Sequence, residues 1–506
     1  MRVIGLVVIL SLIPLSSCAP QMTAEQRRQD IEFLADWARD CSPTIPEKEL
    51  NTESGVETLR PRYIELAEQA GDNSEFMQIV YGYFHLIGKR GHGYVYPKEN
   101  LWGLMLESLA TGGKGLVNIP WHQFPRAMYW SDRLEESFVH PPFRIQQKAD
   151  LYFTVDAWRT WFRTIPKGSQ IARVNGMTCS DYLRHLKEHS WLRWIAGNMD
   201  GIERQLLVIP DGKECRGWDI EFILPDGSSR GEFVPAKKGR PSRQSTEFLD
   251  WNQGNCVCVE LSKKVGYVRV KAMVHFLRGS DEKKIRDFLK RSGGQYEKLI
   301  VDVRGNGGGS TFYMYDTLIR PFLREPVAYR QISGVRRKFR AGMAEADEKR
   351  LRAGISTWAW ETGIEETIPP TGFDPNEWIF YKIAREVKPS NRYDFDGRLF
   401  ILTDHGSGSA TETYADAVQR IGLGTLIGQR TAGALGNYFM ADTIRLPASG
   451  MIVRLEADLD VNPDGSIQER VGTRPTMELP SCDLPEKTTK EQLLNDPWIR
   501  KILDEL

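Results

Sequence analysis

The residues best suited to chemistry fall in two short phrases. The first is Asp404-His405-Gly406-Ser407-Gly408-Ser409-Ala410-Thr411-Glu412, placed between a strand-like apolar run and a helix-forming stretch. A serine at a helix N-terminus sits where backbone N–H groups and the helix dipole can stabilise a developing oxyanion, which suits a nucleophile. The phrase is not the hydrolase elbow Gly-x-Ser-x-Gly, because neither Ser407 nor Ser409 has glycines two residues away on both sides. Taken alone, it reads first as a Ser/Thr-rich helix cap. The second phrase is Asp302-Val303-Arg304-Gly305-Asn306-Gly307-Gly308-Gly309. Consecutive glycines let a backbone come close to a neighbour and turn its N–H groups outward. A dinucleotide fingerprint would need glycine where Ser310 stands, and the Gly-Lys-Ser/Thr end of a P-loop is absent, which argues against a nucleotide.

The elements that must position these phrases are legible as an alternation. Strands are predicted at Val257–Leu261, Gly266–Val270, Lys298–Val303 and Arg398–Thr403, with helices at Asp281–Arg291 and about 410–421. Alternating strands and helices argue for an α/β layer with a largely parallel sheet. The charged, Trp- and Pro-containing stretch at about 325–393 reads as an insertion. Before this core, residues 150–245 show short alternating runs broken by Gly, Pro and Asp, with a helix expected at Ser180–His189. Earlier still, Thr23-Ala24-Glu25-Gln26 reads as a capping box opening a helix that Ser42-Pro43 stops, and a second helix is expected at Ser74–Lys89. His92 therefore lies on a loop just past a helix end.

Together, "VDVRGNGGG", then "GSGSATE" about 100 residues later, then "IGQRTAG", "LPASG" and "QERVGTRP" resemble the serine peptidases that include the tail-specific (C-terminal processing) proteases and the tricorn core protease. The resemblance is good over roughly 265–479. It implies a crotonase-like α/β peptidase core at 254–480, a PDZ-like β-rich domain at 150–245, for which "KGSQIARVNG" is the matching phrase, a helical N-terminal domain at 18–149 and a C-terminal tail at 481–506. The family phrase Ser-x-Ser-Ala-x-Glu implies that Ser409 is the nucleophile. Its oxyanion donors would be the backbone N–H of Ala410 and of Gly307 or Gly308. The processing branch places an activating lysine 25 residues downstream, where this chain has Ala434, which argues against a Ser–Lys pair. The tricorn-like branch uses a histidine in a phrase like "GHTYV" and a glutamate in Glu-x-x-Gly-x-x-Pro. Here Gly91-His92-Gly93-Tyr94-Val95 and Glu469-Arg470-Val471-Gly472-Thr473-Arg474-Pro475 fill both. The tricorn protease has a serine where Gly91 stands.

The chemistry is coherent on its own terms. A serine hydroxyl is a poor nucleophile until a base takes its proton; His92 is the candidate base and Glu469 the group that would orient and stabilise its charged ring. His405, four residues before Ser409, is the competing base, and Glu412 reads as a structural carboxylate in the first helical turn. Arg420 stands where the processing branch often has Asp. These roles call for no metal and no cofactor, and the partner is a peptide or protein substrate. The competing reading is a non-catalytic carrier or binding protein of the same fold, because this fold also occurs in retinoid-binding modules; it would hold an apolar ligand or a peptide.

At the N-terminus, Met1-Arg2 precedes an apolar run from Val3 to Leu15 and then Ser16-Ser17-Cys18. This resembles the lipobox of bacterial lipoproteins, with residues 1–17 as signal peptide. It implies cleavage before Cys18, lipid on its thiol, and an exported chain held to a membrane. The six other cysteines would then lie in a disulfide-permissive compartment, with Cys256 and Cys258 on one face of a strand and poorly matched to a mutual S–S bond. Across all 506 residues, 67 Lys+Arg balance 67 Asp+Glu and 41% of residues are apolar, which gives no support to a nucleic-acid partner or long disorder.

Overall fold

The computed structural model describes residues 21–43, 56–87, 93–96, 98–111, 119–143, 145–148, 151–160, 163–182, 209–210, 216–238, 253–338, 362–433, 442–480, 482 and 488–505. Cys18, Cys215, His92 and Ala434 lie outside them, as does most of the helix expected at Ser180–His189, of which the first turn is seen.

The central sheet runs in the order 256–262, 265–270, 298–302, 398–403, 425–428, 477–478. Its first pair is antiparallel and the remaining pairs are parallel. The inner strands read Lys-Leu-Ile-Val-Asp and Arg-Leu-Phe-Ile-Leu-Thr because both faces are covered, so apolar residues need not alternate with polar ones. On one face Leu299, Val301 and Ile401 pack against the helix Arg278–Arg291 and the helix Ala410–Arg420. On the other, Ile300, Phe400 and Leu402 meet Leu493, Trp498, Ile499 and Ile502. These last four come from the helices Lys490–Asn495 and Pro497–Glu505, so the expected C-terminal tail is an integral cover of the sheet. Asp496 supplies the reason for the second helix, accepting from the Trp498 and Ile499 N–H groups at 2.9 and 3.2 Å.

The stretch at about 325–393 is likewise woven into the fold rather than set apart. Its strands Val327–Arg336, Thr362–Thr367 and Trp378–Val387 form an antiparallel sheet completed by Asp458–Val461. The paired backbone ties it down together with a small apolar cluster in which Trp378 and Phe380 pack against Leu459 and Val461.

Among the described residues, helices Ala24–Cys41, Val56–Gln69, Asn73–Ile87, Lys98–Thr111 and Phe124–Ser137 precede the β-rich region. The capping box is formed: Thr23 Oγ1 accepts from Gln26 N and Gln26 Oε1 from Thr23 N. These helices do not close a core by themselves. Ile31, Phe76, Val80 and Trp130 pack with Leu446, Met451, Val453 and Leu455 of the hairpin 442–455, all fully or nearly fully buried. Each such side chain contributes about 1.5–3 kcal/mol on burial, enough to join the two segments. Asp30 adds a polar tie, accepting from Ala448 N and Ser449 N at 2.8 and 2.9 Å.

The β-rich region is a sheet in the order 229–235, 217–223, 170–174, 151–154, 145–148. Its Asn175-Gly176 turn has φ of 50° and 81°, the left-handed pair a tight hairpin needs. No helix among the described residues is long and apolar enough to cross a membrane. The described cysteines Cys179, Cys256, Cys258 and Cys482 are free thiols.

Candidate active site

The two phrases leave neighbouring parallel strands and are stitched to each other. Asp302 ends one strand and Thr403 the next. Asp404 Oδ1 accepts from Gly305 N and Gly406 N at 2.8 and 2.9 Å, Ser407 Oγ donates to Val303 O at 2.9 Å, and Gly408 N donates to Asn306 O at 3.1 Å. Asn306 is fully buried and fixes the glycine run, donating from Nδ2 to Val270 O at 3.0 Å and accepting from Gly308 N at 2.9 Å. Neither Asn306 nor Asp404 was singled out from the sequence; a polar residue embedded between glycines is the signal that could have marked the first.

Two glycines are required here by close approach. A Cβ on Gly308, at φ 96°, would lie 2.5 Å from Gly408 O and 2.8 Å from Ser409 Cβ. On Gly309, at φ 134°, it would lie 2.4 Å from Met273 O, where the run forms a parallel bridge with Met273. The glycine run therefore lies directly against Ser409.

Ser409 itself has φ 56° and ψ −121° at the N-cap of the helix Ala410–Arg420. A non-glycine residue held there carries about 1–3 kcal/mol of strain and persists only when its surroundings fix it. They do: Ser409 N donates to Gly433 O at 3.3 Å and Gly408 bridges Gly433. Gly308 N is engaged by Asn306, whereas the N–H groups of Gly307 and Ala410 meet no acceptor among the described residues.

Glu412 does more than favour the helix dipole. Fully buried, it accepts from Gly433 N at 2.9 Å, Gln468 Nε2 at 2.8 Å and Thr473 Oγ1 at 2.5 Å. Burial pushes its carboxyl up from the ordinary value, with Thr431, Thr473 and Gln468 opposing. This carboxylate joins the Ser409 turn, through Gly433, to the short helix Gln468–Val471. Glu469 is the residue after Gln468, so its backbone is brought to the Ser409 side of the molecule.

His92 lies outside the described residues, but the chain resumes at Gly93 and the strand Tyr94–Val95 pairs with Ile452–Leu455 (Tyr94 opposite Arg454). The phrase holding His92 is thus anchored to the region that leads through Asp458–Val461 to Glu469. His405 sits in the turn whose Gly406 lies against Gly305. Arg420 pairs with Asp416 at 2.7 Å and is structural.

Under the glycine run lies a buried ion cluster. Arg304 pairs with Asp302 at 2.7 Å and Asp496 at 2.8 Å, and its guanidinium lies 5.0 Å from the centre of the Trp498 ring. Tyr267 OH donates to Asp302 at 2.7 Å.

Residues 264–479 match the sequence model of peptidase family S41. No curated protein matches the chain. Among solved structures, mature CPAF complexed with lactacystin is 14% identical at TM-score 0.54, covering 95% of this chain and 97% of that one. Mature CPAF alone is 14% identical at 0.54, covering 90% and 93%. A point mutant of CPAF is 12% identical at 0.56, covering 95% and 96%. At these identities the likeness is one of fold: a mixed α/β peptidase fold over nearly the whole chain.

Proposed function

We propose that this chain, whose residues 264–479 match the model of peptidase family S41, is a serine peptidase that cleaves peptides or proteins through an acyl-enzyme on Ser409. The observation that carries the assignment to Ser409 is its left-handed N-cap conformation with the glycine run pressed against its Cβ. His92 takes the proton from Ser409 Oγ as it attacks the scissile carbonyl and Glu469 orients the imidazole. The oxyanion accepts from the N–H groups of Ala410 and Gly307; the engaged Gly308 N–H makes Gly307 the better second donor. Collapse of the tetrahedral intermediate breaks the C–N bond, and His92 returns the proton to the leaving amine. Water then attacks the ester by the same route.

The parallel strands flanked by helices support a crotonase-like core, and the Asn175-Gly176 hairpin within the β-rich region supports a PDZ-like module presenting substrate. The tricorn-like choice of His92 and Glu469 rests on their phrases, and is favoured by the shared anchoring of both to residues 442–473. Export and lipid attachment at Cys18 complete the reading, with the site facing an extracytoplasmic space.

A fluorophosphonate probe tests it. Peptide mapping should locate label on Ser409, absent in Ser409→Ala and strongly reduced in His92→Ala, with His405→Ala retaining it. Label that survives His92→Ala but vanishes in His405→Ala would transfer the base to His405. A folded protein that never labels would remove the nucleophile assignment.

A further inference from the structure

The strand Cys256–Ser262 carries a pair of thiols that the proposed reaction does not use. Cys256, Cys258 and Glu260 share one face of this edge strand, passing outward from buried to half-buried to exposed. The two sulfurs are 4.0 Å apart. Both cysteines pack on the core under the helix Arg278–Arg291, from which Lys284 Nζ donates to Cys256 O at 2.6 Å. From these contacts we propose that Cys256 and Cys258 form a two-thiolate site for a soft monovalent d10 cation, of which Cu(I) is the biological example.

Three properties carry this. The first is spacing. With metal–sulfur bonds of about 2.2–2.3 Å, a sulfur separation of 4.0 Å closes around one ion at an angle of about 120–130°, and rotation of the half-buried Cys258 opens it further. A disulfide fits less well. Alternate residues of an extended strand are about 6.6–6.8 Å apart at Cα, the upper edge of disulfide geometry. Closing that bond would pull the strand from its register with Val270 and Val268.

The second is ligand number. Among the described residues no group of three His, Cys, Asp or Glu could hold a metal ion. Tetrahedral zinc or an octahedral hard cation is therefore unsupported, while thiolates alone select soft ions. The third is setting: half-buried Cys258 opens the pair to solvent, and the Lys284 ammonium is held beside it at Cys256 O. Binding exchanges protons for metal: two thiols and one monovalent cation give a dithiolate complex of charge −1 and two protons. The Lys284 ammonium offsets that charge against the nearby Asp281 carboxylate.

The test is competition under anaerobic conditions, with the reduced full chain withdrawing Cu(I) from its coloured bicinchoninate complex. One equivalent should be withdrawn by the wild type and by Cys482→Ser, and at least tenfold less under the same probe concentration by Cys258→Ser. Because Cys258 is half-buried, this variant keeps its fold, which circular dichroism checks; Cys256→Ser should repeat the loss. A Cu(I)-dependent rise in Tm should accompany binding and vanish in Cys258→Ser. Equal withdrawal by wild type and Cys258→Ser, or none by either, overturns the site. So does a loss of two hydrogens mapping to the peptide that holds both cysteines in aerobically purified protein, which would make the pair a disulfide.

Discussion

Two buried carboxylates support the two active loops by opposite means. Under the glycine run, Asp302 is paired with Arg304, which also reaches Asp496. Burial pushes the Asp302 carboxyl up, but Arg304 and Arg269 outweigh it and hold it at about 2. Under Ser409, Glu412 meets donors that carry no formal charge, and burial leaves its carboxyl above the ordinary value. The first arrangement is rigid and intolerant of losing a partner. The second is a set of directed hydrogen bonds in which each donor fixes the place of a different loop.

The sharpest way to break this contrast is to remove the cation. Arg304→Leu removes the guanidinium that Asp302 and Asp496 share, leaving Arg269 as the cation acting on Asp302, and loss of one partner of such a cluster costs about 3–5 kcal/mol. Denaturant unfolding should show that loss, and the change should exceed that of a single substitution around Glu412. A cost under about 1 kcal/mol would mean that the cluster does not hold the glycine run.

pH separates the two next. Asp302 has a folded value of about 2 against an ordinary 3.8. Its contribution, on the order of 2 kcal/mol, is fully present above pH 4 or so and is lost as pH falls through the folded value. Glu412 has a raised folded value, so its contribution runs the other way: it is present below the unfolded value and is lost as pH rises through the folded one. Unfolding free energies of wild type and Arg304→Leu should therefore converge toward pH 2. Those of Glu412→Gln should lack the part of the decline above pH 4.5 that wild type shows. Parallel curves for all three would remove the contrast.

The same contrast shows what could be read in advance. The strands and helix that carry the two phrases are local features, and the expected bounds at Arg398–Thr403 and about 410–421 agree with those observed to within one residue. The partners of Glu412 are 56 and 61 residues away in Gln468 and Thr473, and nothing in its own turn marks them. The hairpin 442–455 also gave no sign that it completes the N-terminal helical core, since a half-apolar hairpin suits many neighbours. The strand Asp458–Val461 was hidden by its own composition. Two buried aspartates in four residues oppose a strand assignment, yet it pairs with the strand Val327–Arg336. Long-range pairing overrides local preference in each case.

A smaller effect should come from Glu412→Gln. The amide places an NH2 where either Gly433 N or the Thr473 and Gln468 donors need an acceptor, so at least one buried donor is left unmet at about 1–3 kcal/mol. Glu412 acts through Gly433 on Ser409 and through Gln468 on the turn holding Glu469. The loss should therefore fall on kcat, by about tenfold or more, with KM little changed. A stability loss with kcat intact would make Glu412 a structural carboxylate only.

The finest probe is Thr473→Val, which keeps the shape and removes one hydroxyl donor to Glu412 Oε1. Gln468 Nε2 and Gly433 N still satisfy the carboxylate, so the cost should be about 1 kcal/mol, near the net worth of one hydrogen bond. Thr473 Oγ1 stabilises the ionised form, so its removal raises the folded value of Glu412 further. The penalty should then be larger above that value than below it, where Glu412 is protonated in both proteins. A penalty independent of pH would mean that Thr473 serves the turn through its backbone bonds with Thr431 rather than through the carboxylate.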